Sequence, residues 1–305
     1  MRVSWDEANA FCQKISEISG NTVSLPTETQ WEWAARSGSA DDFWFGSTES
    51  DFGAFENLAD STTVDLAVTG VDPKPMRAND PMRKFWDFLP KILNVNDHQL
   101  ISCPVASYQP NPWGLYDMNG NVAEWTASDY IPYPLKEKAN KEAVEKKVVR
   151  GGSWRERPKY STSAVRKAYL PWQRPMNYAD WLKENKKADG ITGATTGETV
   201  EIKKPTKPVR PVKVKGFPFD TQTATARQAA KDETPRRLTI TPDVHIDLVW
   251  IPAGSFVMGN NRTPSASPAF KANVKEGFWM STTEITNEQF RTLFPEHDSR
   301  YIGQT

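Results

Sequence analysis

Three stretches of the chain combine an apolar helical spacing with a capping signal at the start of that spacing. Each signal pairs a Ser or Thr with a Glu or Gln three residues later: Ser4 with Glu7, Thr27 with Gln30, and Thr286 with Gln289. The paired side chains accept hydrogen bonds from backbone N–H groups that would otherwise lack a partner at the helix start. Gly20 follows the first apolar run and predicts its end. The pattern therefore predicts three short helices that begin at these pairs.

Runs with strand-like spacing are short, which predicts short strands. The predicted strands are Val105–Tyr108, Lys147–Arg150, His245–Ile251 and Ser255–Met258. The stretch 37–100 is irregular, and we interpret Phe85–Leu89 within it as a short helix that ends before Pro90. We therefore expect an α+β protein with few helices and short, scattered strands.

Residues 183–236 have the composition of a linker between two folded parts. The segment carries few apolar residues, and Lys and Pro alternate through much of 203–215. Such a composition favours an extended, positively charged chain that forms no core by itself. A basic proline-rich stretch can also bind an acidic partner or an aromatic groove, and the sequence leaves that alternative open.

Composition narrows the classes of partner. The chain has 305 residues, of which 38% are hydrophobic, with 23 prolines and 12 tryptophans, so we expect a loop-rich fold held by aromatic clusters. Lys+Arg and Asp+Glu are both 38, and this balance predicts no bulk attraction to nucleic acid or to an anionic membrane. No apolar run approaches the roughly 20 residues of a membrane span, and the sequence shows no secretory leader.

The two cysteines, Cys12 and Cys103, do not form a metal-binding or redox spacing. Each lies among apolar residues, which favours a buried, small hydrophobic role for both. Whether they form a disulfide with each other stays open at this point.

The segment Asn111–Trp125 carries the strongest signal for a binding site. Asp117 and Glu124 flank an Asn119-Gly120 turn, which can direct backbone carbonyls inward. A hard divalent cation such as calcium prefers this mixture of carboxylates and carbonyls. The alternative is a hairpin turn in which Glu124 caps local N–H groups.

This segment and five others together carry a resemblance to a known family. The others are VSWDEA from Val3, LPTETQWEWAAR from Leu25, VVRGGSW from Val148, IPAGSFVMG from Ile251 and TTEITNEQF from Thr282. They resemble the formylglycine-generating enzyme, or sulfatase-modifying factor, family over roughly 1–170 and 243–305. The resemblance implies an irregular α+β fold with a C-type-lectin-like core.

The motifs stand in an order different from that of the family. Segments that come late in the family fall within 1–182, and segments that come early fall within 237–305. One explanation is a circularly permuted domain, in which 237–305 completes 1–182 and 183–236 joins them. The other is a domain split across a tandem array. We favour the first; a domain-swapped dimer or larger assembly is its variant.

The resemblance also implies two structural calcium sites. Matched by motif position, the first set is Asp117, Gly120, Val122 and Glu124, with Gly120 and Val122 acting through their carbonyls. The second set is Asn57, Leu58, Asp97 and Gln99. Here the family commonly has Asp-Gly-Phe where this chain has Asp97-His98-Gln99. Calcium in turn favours an extracytoplasmic location, periplasmic or secreted, on the resemblance alone.

The residues that carry out the chemistry of the family are absent. Its enzymes oxidise a substrate cysteine with molecular oxygen and copper held by two cysteines, and this chain has Glu156 and Ser161 at those places. Since soft thiolates select monovalent copper, we expect no copper and no oxidase activity. The three histidines are scattered and match no iron site, and other nucleophile and phosphate motifs are missing.

A dense aromatic and arginine segment follows the RGGS motif, and in the family this region lines the substrate groove. The candidate ligand-binding residues are Trp154, Arg155, Arg157, Tyr160 and Arg174. Arg and Trp dominate many recognition surfaces. We therefore predict a non-catalytic module that binds a peptide, a glycan or a partner subunit. The alternatives are a formylglycine-generating oxidoreductase that acts on a sulfatase cysteine and a structural domain of a repeat array.

Overall fold

The computed structural model describes most of the chain in seven ranges. They are residues 3–63, 66–67, 74–75, 92–135, 145–173, 211–230 and 236–298. The predicted helix Phe85–Leu89, the first part of the predicted linker and Arg174 lie outside these ranges.

Of the four helices in the described ranges, three begin at the predicted capping pairs. The helices are α1 (Trp5–Ser19), α2 (Glu28–Arg36), α3 (Thr221–Ala229) and α4 (Asn287–Leu293). In α1, α2 and α4 both reciprocal hydrogen bonds of the capping box are present. Gly20 caps α1 with a φ of 67° and confirms its predicted end. The sequence did not predict α3, whose first turn is capped by the Asp220 side chain.

Where the structure describes the chain, ten short strands form four small antiparallel sheets. The strands are β1 (Leu66–Ala67), β2 (Lys74–Pro75), β3 (Glu124–Asp129), β4 (Lys147–Arg150), β5 (Lys167–Tyr169), β6 (Arg236–Thr239), β7 (His245–Ile251), β8 (Gly254–Met258), β9 (Phe270–Val274) and β10 (Phe278–Ser281). The sheets are β1–β2, β3–β4–β5, β10–β7–β6 and β8–β9. Three of the four predicted strands are confirmed as β4, β7 and β8.

The predicted strand Val105–Tyr108 is a turn instead. Ala106 has a φ of 59°, in the left-handed region, and its N–H donates to Asp117 Oδ2 at 2.8 Å. A side-chain acceptor thus takes the place of a neighbouring strand at this position.

Trp33 of α2 lies at the centre of the main core and is fully buried. Its ring centroid is 5.0 Å from that of Trp113, 5.3 Å from that of Phe256 in β8 and 6.5 Å from that of Phe217. Its Nε1 donates to the carbonyl of Pro252 at 2.8 Å. One side chain therefore joins three regions that are far apart in the sequence.

A buried ionic network holds α2 against the same regions. Glu32 Oε1 accepts hydrogen bonds from Arg36 Nε at 2.9 Å and from the N–H of Gly259 at 2.8 Å. Glu32 Oε2 pairs with the guanidinium of Arg150, which is itself 1% exposed. The glutamate is thus a structural ion-pair partner.

Residues 211–230 of the predicted linker contribute side chains to the core. Val214, Phe217 and Ala224 are buried in the main core cluster, and Trp113 Nε1 donates to the carbonyl of Ala224 at 3.2 Å. Residues 211–230 therefore pack against the core, although the sequence analysis interpreted all of 183–236 as a linker. Apolar residues are sparse there, but they fall on the side of the segment that meets the Trp33 cluster.

A second core cluster joins α1 to the C-terminal part of the chain. Phe11 of α1 stacks on Phe290 of α4 with ring centroids 5.2 Å apart, and Ile246 of β7 packs in the same cluster. Among the described residues, no helix has the length and apolar character needed to cross a bilayer.

Candidate functional site

The predicted calcium loop adopts a tight, largely left-handed conformation. Asp117, Gly120 and Asn121 have φ values of 53°, 92° and 42°. A side chain at position 120 would collide with the carbonyl oxygen of Asn57, so the loop requires glycine there. The predicted Asn119-Gly120 turn is therefore also a point of close backbone approach.

Hydrogen bonds tie this loop to two other predicted site regions. The N–H of Gly120 donates to the carbonyl of Gly151 at 3.0 Å, and the N–H of Asn121 donates to the carbonyl of Asn57 at 2.9 Å. Asn121 Oδ1 also accepts from the N–H of Cys103 at 3.0 Å. The structure thus brings the first calcium set, the RGGS segment and the start of the second calcium set together.

The two predicted carboxylate ligands of the loop have different hydrogen-bond partners. Asp117 Oδ2 accepts from Ala106, whereas its Oδ1 is buried without a hydrogen-bond partner in the described ranges. Glu124 Oε2 accepts from Trp31 Nε1 at 2.7 Å, and burial raises the pKa of Glu124 to about 7. Glu124 thus contacts an indole rather than the local N–H groups of the alternative hairpin interpretation.

Two more buried carboxyl groups, Glu56 and Glu284, lie near this pair, and sequence reasoning missed both. Burial, followed by the charge of Asp117, holds the pKa of Glu56 and that of Glu284 well above the usual range. Glu56 Oε1 and Glu284 Oε2 have no hydrogen-bond partner among the described residues. The sequence did contain a signal for these two residues. Glu56 directly precedes the predicted ligand Asn57, and Glu284 lies in the EITN motif.

The chemistry of this cluster suits a hard cation. Four carboxyl groups lie near one another, and the charge of Asp117 raises the pKa of Glu56, Glu124 and Glu284. A calcium ion would supply the positive charge and satisfy the free oxygens. In the described part of the chain, no three His, Cys, Asp or Glu side chains stand in a metal-binding group. The predicted calcium set of the loop is not such a group of side chains, because two of its four ligands are backbone carbonyls.

The structure also brings the second predicted calcium set together. The Asp97 carboxylate accepts from the N–H of Leu58 at 3.0 Å and from the N–H of Gln99 at 2.8 Å. Burial raises the pKa of Asp97 to about 7, and the nearby Asp60 charge adds to the rise. Asp60, which the sequence analysis missed, gives this set a second buried carboxylate. Asn57 instead directs its amide N–H to the carbonyl of Ile101 at 2.9 Å.

Glu156, at the place of the first family cysteine, is held in an ion pair. Its carboxylate accepts from Lys167 Nζ and from Ser153 Oγ. Burial raises the pKa of Glu156, but the Lys167 charge and the hydrogen bonds from Lys167 and Ser153 leave it below the usual value. The carboxylate is therefore ionised and already paired.

Ser161, at the place of the second family cysteine, is fully buried. Its carbonyl accepts from Asn119 Nδ2 at 2.7 Å. Its Oγ lies so close to Gly152, which has a φ of 78°, that a side chain at position 152 would collide with it. This position is therefore packed beneath the glycine pair of the RGGS motif.

The predicted ligand-binding segment divides into an interior and an exposed part. Trp154 is 4% exposed and lies in the interior, with the Arg155 guanidinium 5.9 Å from its ring centroid. Tyr160 is 44% exposed, with the Arg157 guanidinium 5.0 Å and Lys159 Nζ 4.7 Å from its ring centroid. The exposed part is therefore a cationic surface around Tyr160.

Both cysteines are free and buried, so the open question of a disulfide is answered in the negative. Burial raises the pKa of each thiol to about 11. Neither carries appreciable thiolate near neutral pH, and thiolate is the form that binds copper or attacks a substrate.

Comparisons with known proteins agree with this architecture. The family model described as FGE-sulfatase, the sulfatase-modifying factor enzyme 1-like domain, matches residues 1–182 and 237–303. The chain is 31% identical over 155 residues to "Inactive C-alpha-formylglycine-generating enzyme 2" of Mus musculus, covering 50% of this chain and 37% of that protein. It is 28% identical over 159 residues to "Formylglycine-generating enzyme" of Streptomyces coelicolor, covering 50% and 41%.

The chain thus spans about two fifths of the length of these curated relatives. Among solved structures, PvdO from Pseudomonas aeruginosa matches 57% of this chain and 56% of its own at 25% identity, with a TM-score of 0.40. The family match covers both predicted parts of the domain and omits the segment between them. The chain therefore belongs to the FGE-sulfatase (sulfatase-modifying factor enzyme 1-like) family and has its α+β, C-type-lectin-like fold.

Proposed function

We propose that this chain is a non-catalytic member of its family: an extracytoplasmic, calcium-stabilised module that binds a peptide, a glycan or a partner subunit. The observation that carries the proposal is the ion pair at Glu156. At the place where the resemblance puts a copper-binding thiolate, this chain has a carboxylate paired with Lys167 and Ser153. The mouse relative is named as an inactive enzyme, which agrees with a non-catalytic role for this chain.

The donor set at these positions does not fit copper of the kind that the family uses. Monovalent copper selects soft sulfur ligands, and Glu156 and Ser161 offer a carboxylate and a hydroxyl. The Glu156 carboxylate would have to leave Lys167 before it could bind an ion, and Ser161 is fully buried. Cys12 and Cys103 are buried elsewhere and do not replace the missing thiolates.

In this proposal, bound calcium rather than bound protons alone balances the charge of the carboxylates around Asp117. Asp117 and Glu124 would bind the ion through carboxylates, and Gly120 and Val122 through carbonyls. Glu284 lies near this set, and the charge of Asp117 adds to the effect of burial in raising the pKa of Glu284. The second set would use Asp97, with Asp60 next to it. In both places the ion would stabilise the fold rather than take part in a reaction.

The exposed surface around Tyr160 is the proposed binding surface. Arg157 and Lys159 flank the ring, and Trp172 nearby in sequence is 61% exposed. An exposed aromatic ring with two cations can stack on a planar or apolar group while it pairs with an acidic one. Peptides and glycans both offer such groups.

The catalytic part of the proposal is tested by incubating the protein with copper, oxygen and a cysteine-containing sulfatase peptide. We expect no formylglycine product and no copper(I)–thiolate absorption. The matched comparison is a double variant, Glu156→Cys with Ser161→Cys, in which we expect copper(I) binding to appear. Turnover by the unmodified chain at the rate of an active family enzyme would overturn the proposal.

The binding part is tested on peptide and glycan arrays in the presence of calcium. We expect discrete ligands whose binding weakens about tenfold, or about 1.4 kcal/mol, when Tyr160 is replaced by Ala. The control is Lys271→Ala, an exposed cation on β9. Equal loss in both variants, or ligands insensitive to Tyr160→Ala, would contradict the assignment of this surface.

A further inference from the structure

The buried carboxylate of Asp60 lies beside the second predicted calcium set without belonging to it. Asp60 is fully buried and follows the predicted ligands Asn57 and Leu58 in the chain. Its Oδ2 accepts a hydrogen bond from the N–H of Asp97, a predicted ligand from the other part of the set. Its Oδ1 accepts from the N–H of Thr62 at 2.8 Å. Both oxygens are thus directed at backbone groups, so Asp60 would act on an ion through the residues that it holds.

The hydroxyl of Thr62 connects Asp60 to another predicted ligand, the carbonyl of Gln99. Thr62 Oγ1 lies within hydrogen-bond distance of Asp60 Oδ1 and 2.9 Å from the carbonyl oxygen of Gln99. The hydroxyl has one proton for these two acceptors, so one shared donor links them. A carbonyl oxygen has two lone pairs, which leaves one for an ion while Thr62 holds the other. The Asp60–Thr62 pair therefore contacts the chain at both residue 97 and residue 99.

The residue between these two contacts has an unfavourable backbone conformation. His98 has a φ of 64°, in the left-handed region, which costs free energy for any residue that carries a side chain. Its N–H donates to Asn96 Oδ1 at 2.8 Å, a contact within the loop itself. The loop therefore depends on contacts from other segments to keep this shape, and the Asp60–Thr62 pair supplies them on both sides of His98.

The segment that carries the pair is itself fixed against the chain that leads into the loop. Ser61, between Asp60 and Thr62, donates from its N–H and from its hydroxyl to the carbonyl of Val95, at 3.2 and 2.6 Å. Asp60 also forms an isolated parallel bridge with Ile92. Residues 60–62 therefore lie along residues 92–99, which places the pair where it can hold the loop.

We propose that Asp60 and Thr62 are positioning residues for the second calcium set: they hold residues 97–99 in the one conformation in which the Asp97 carboxylate and the Gln99 carbonyl bind the same ion. This inference rests on the calcium part of the proposed function. An ion binds only the competent conformation of the loop, so its apparent affinity falls in proportion to the fraction of the chain that holds that conformation. The pair sets this fraction and does not itself touch the ion.

The test is calorimetric titration of calcium into the full chain after treatment with chelator. The binding event that Asp97→Asn removes is assigned to the second set. We expect Asp60→Asn to weaken this event about 10–100-fold, the usual effect of replacing a residue that orients metal ligands. The control is Asp51→Asn, the same chemical change in an exposed side chain, which should alter the affinity less than about twofold. An unchanged affinity in Asp60→Asn would overturn this inference and leave the calcium set standing. If Asp97→Asn removed no event, the set itself would be wrong and this inference with it.

Two substitutions at Thr62 test the hydrogen bonds without a change of charge. Thr62→Val removes the hydroxyl and nearly keeps the shape, so we expect calcium to bind about fivefold more weakly at the second set. Thr62→Ser keeps the hydroxyl and should bind within about twofold of the unmodified chain. Equal losses in the two variants would assign the effect to the packing of the methyl group and contradict the proposal. This pair of variants also decides the question if Asp60→Asn does not fold.

Control of the loop conformation is tested by combining Asp60→Asn with His98→Gly. Glycine adopts a left-handed φ without the cost that a side chain brings, so the loop keeps its shape better when Asp60 no longer holds it. We expect the double variant to bind calcium about fivefold more tightly than Asp60→Asn alone. In the unmodified chain, where the pair already holds the loop, His98→Gly should change the affinity less than about twofold. No recovery, or the same gain with and without Asp60, would show that Asp60 does not act through this loop.

Discussion

At the scale of single residues, Glu32 is a buried side chain on whose ion pairs the stability of the fold depends. It receives hydrogen bonds from Arg36 and the N–H of Gly259, and it pairs with the buried guanidinium of Arg150. Replacing Glu32 by Ala leaves Arg150 buried without its carboxylate. We expect a loss of about 3–5 kcal/mol in the free energy of unfolding, measured by urea denaturation.

The matched control for Glu32→Ala is Glu17→Ala, an exposed carboxylate on α1. It changes the free energy of unfolding by about 0.5 kcal/mol or less, because surface substitutions rarely cost more. If both variants lost the same small amount, the buried network would contribute nothing specific to this fold.

The carboxylate cluster predicts that stabilisation by calcium depends on pH. Burial raises the pKa of Glu124 from 4.5 to about 7 in the folded chain, so without calcium the folded state holds a proton that the unfolded state has lost. The contribution of Glu124 to the stability of the calcium-free chain therefore falls as pH rises from about 4.5 to about 7. Bound calcium keeps the carboxylates ionised and removes this fall.

The measurement is the melting temperature with calcium and with chelator at about pH 5 and about pH 7.5. Calcium should raise the melting temperature at both values, and more at the higher one. Asp117→Asn should reduce the difference between calcium and chelator. If calcium changed the melting temperature at neither pH, the proposal that the chain binds calcium would be wrong.

At the scale of elements, local signals predicted the helices well because a capping box depends on residues only three positions apart. Ser4, Thr27 and Thr286 each start a helix in the structure. The segment Val105–Tyr108 was predicted wrongly as a strand, because its N–H at Ala106 meets Asp117, a partner eleven positions away. Partners at such distances are not visible in a local pattern.

The segment 211–230 gives an element-scale prediction. Phe217 is 8% exposed and lies beside Trp33 and Phe256, so we expect Phe217→Ala to cost about 3–5 kcal/mol of stability. Lys215, two positions earlier, is exposed, and Lys215→Ala should cost about 0.5 kcal/mol or less. Urea denaturation of both variants provides the comparison. If both variants had the same free energy of unfolding, residues 211–230 would be a linker rather than part of the core.

At the scale of the whole molecule, much of the candidate site was accessible to sequence reasoning and an essential part was not. Asp117, Gly120 and Glu124 lie within one motif, so their spacing indicated a shared loop. Glu56 and Glu284 reach the same cluster from positions far apart in the chain. Only the packing of residues 236–298 against the first part of the chain brings them together.

That packing supports our proposal that 1–182 and 237–305 complete one permuted domain. Trp33 and Glu32 of α2 have their partners at Phe256, Pro252 and Gly259, in the second part. We therefore expect residues 1–182, expressed alone, to lose cooperative unfolding and the sharp near-ultraviolet signal of packed tryptophans. Added residues 211–305 should restore both in a complex of one copy of each piece, measured by calorimetry and light scattering. The intact chain should be monomeric, whereas a swapped dimer would have twice its mass. If 1–182 unfolded cooperatively by itself, the two parts would be separate domains, and the proposal of one permuted domain would be wrong.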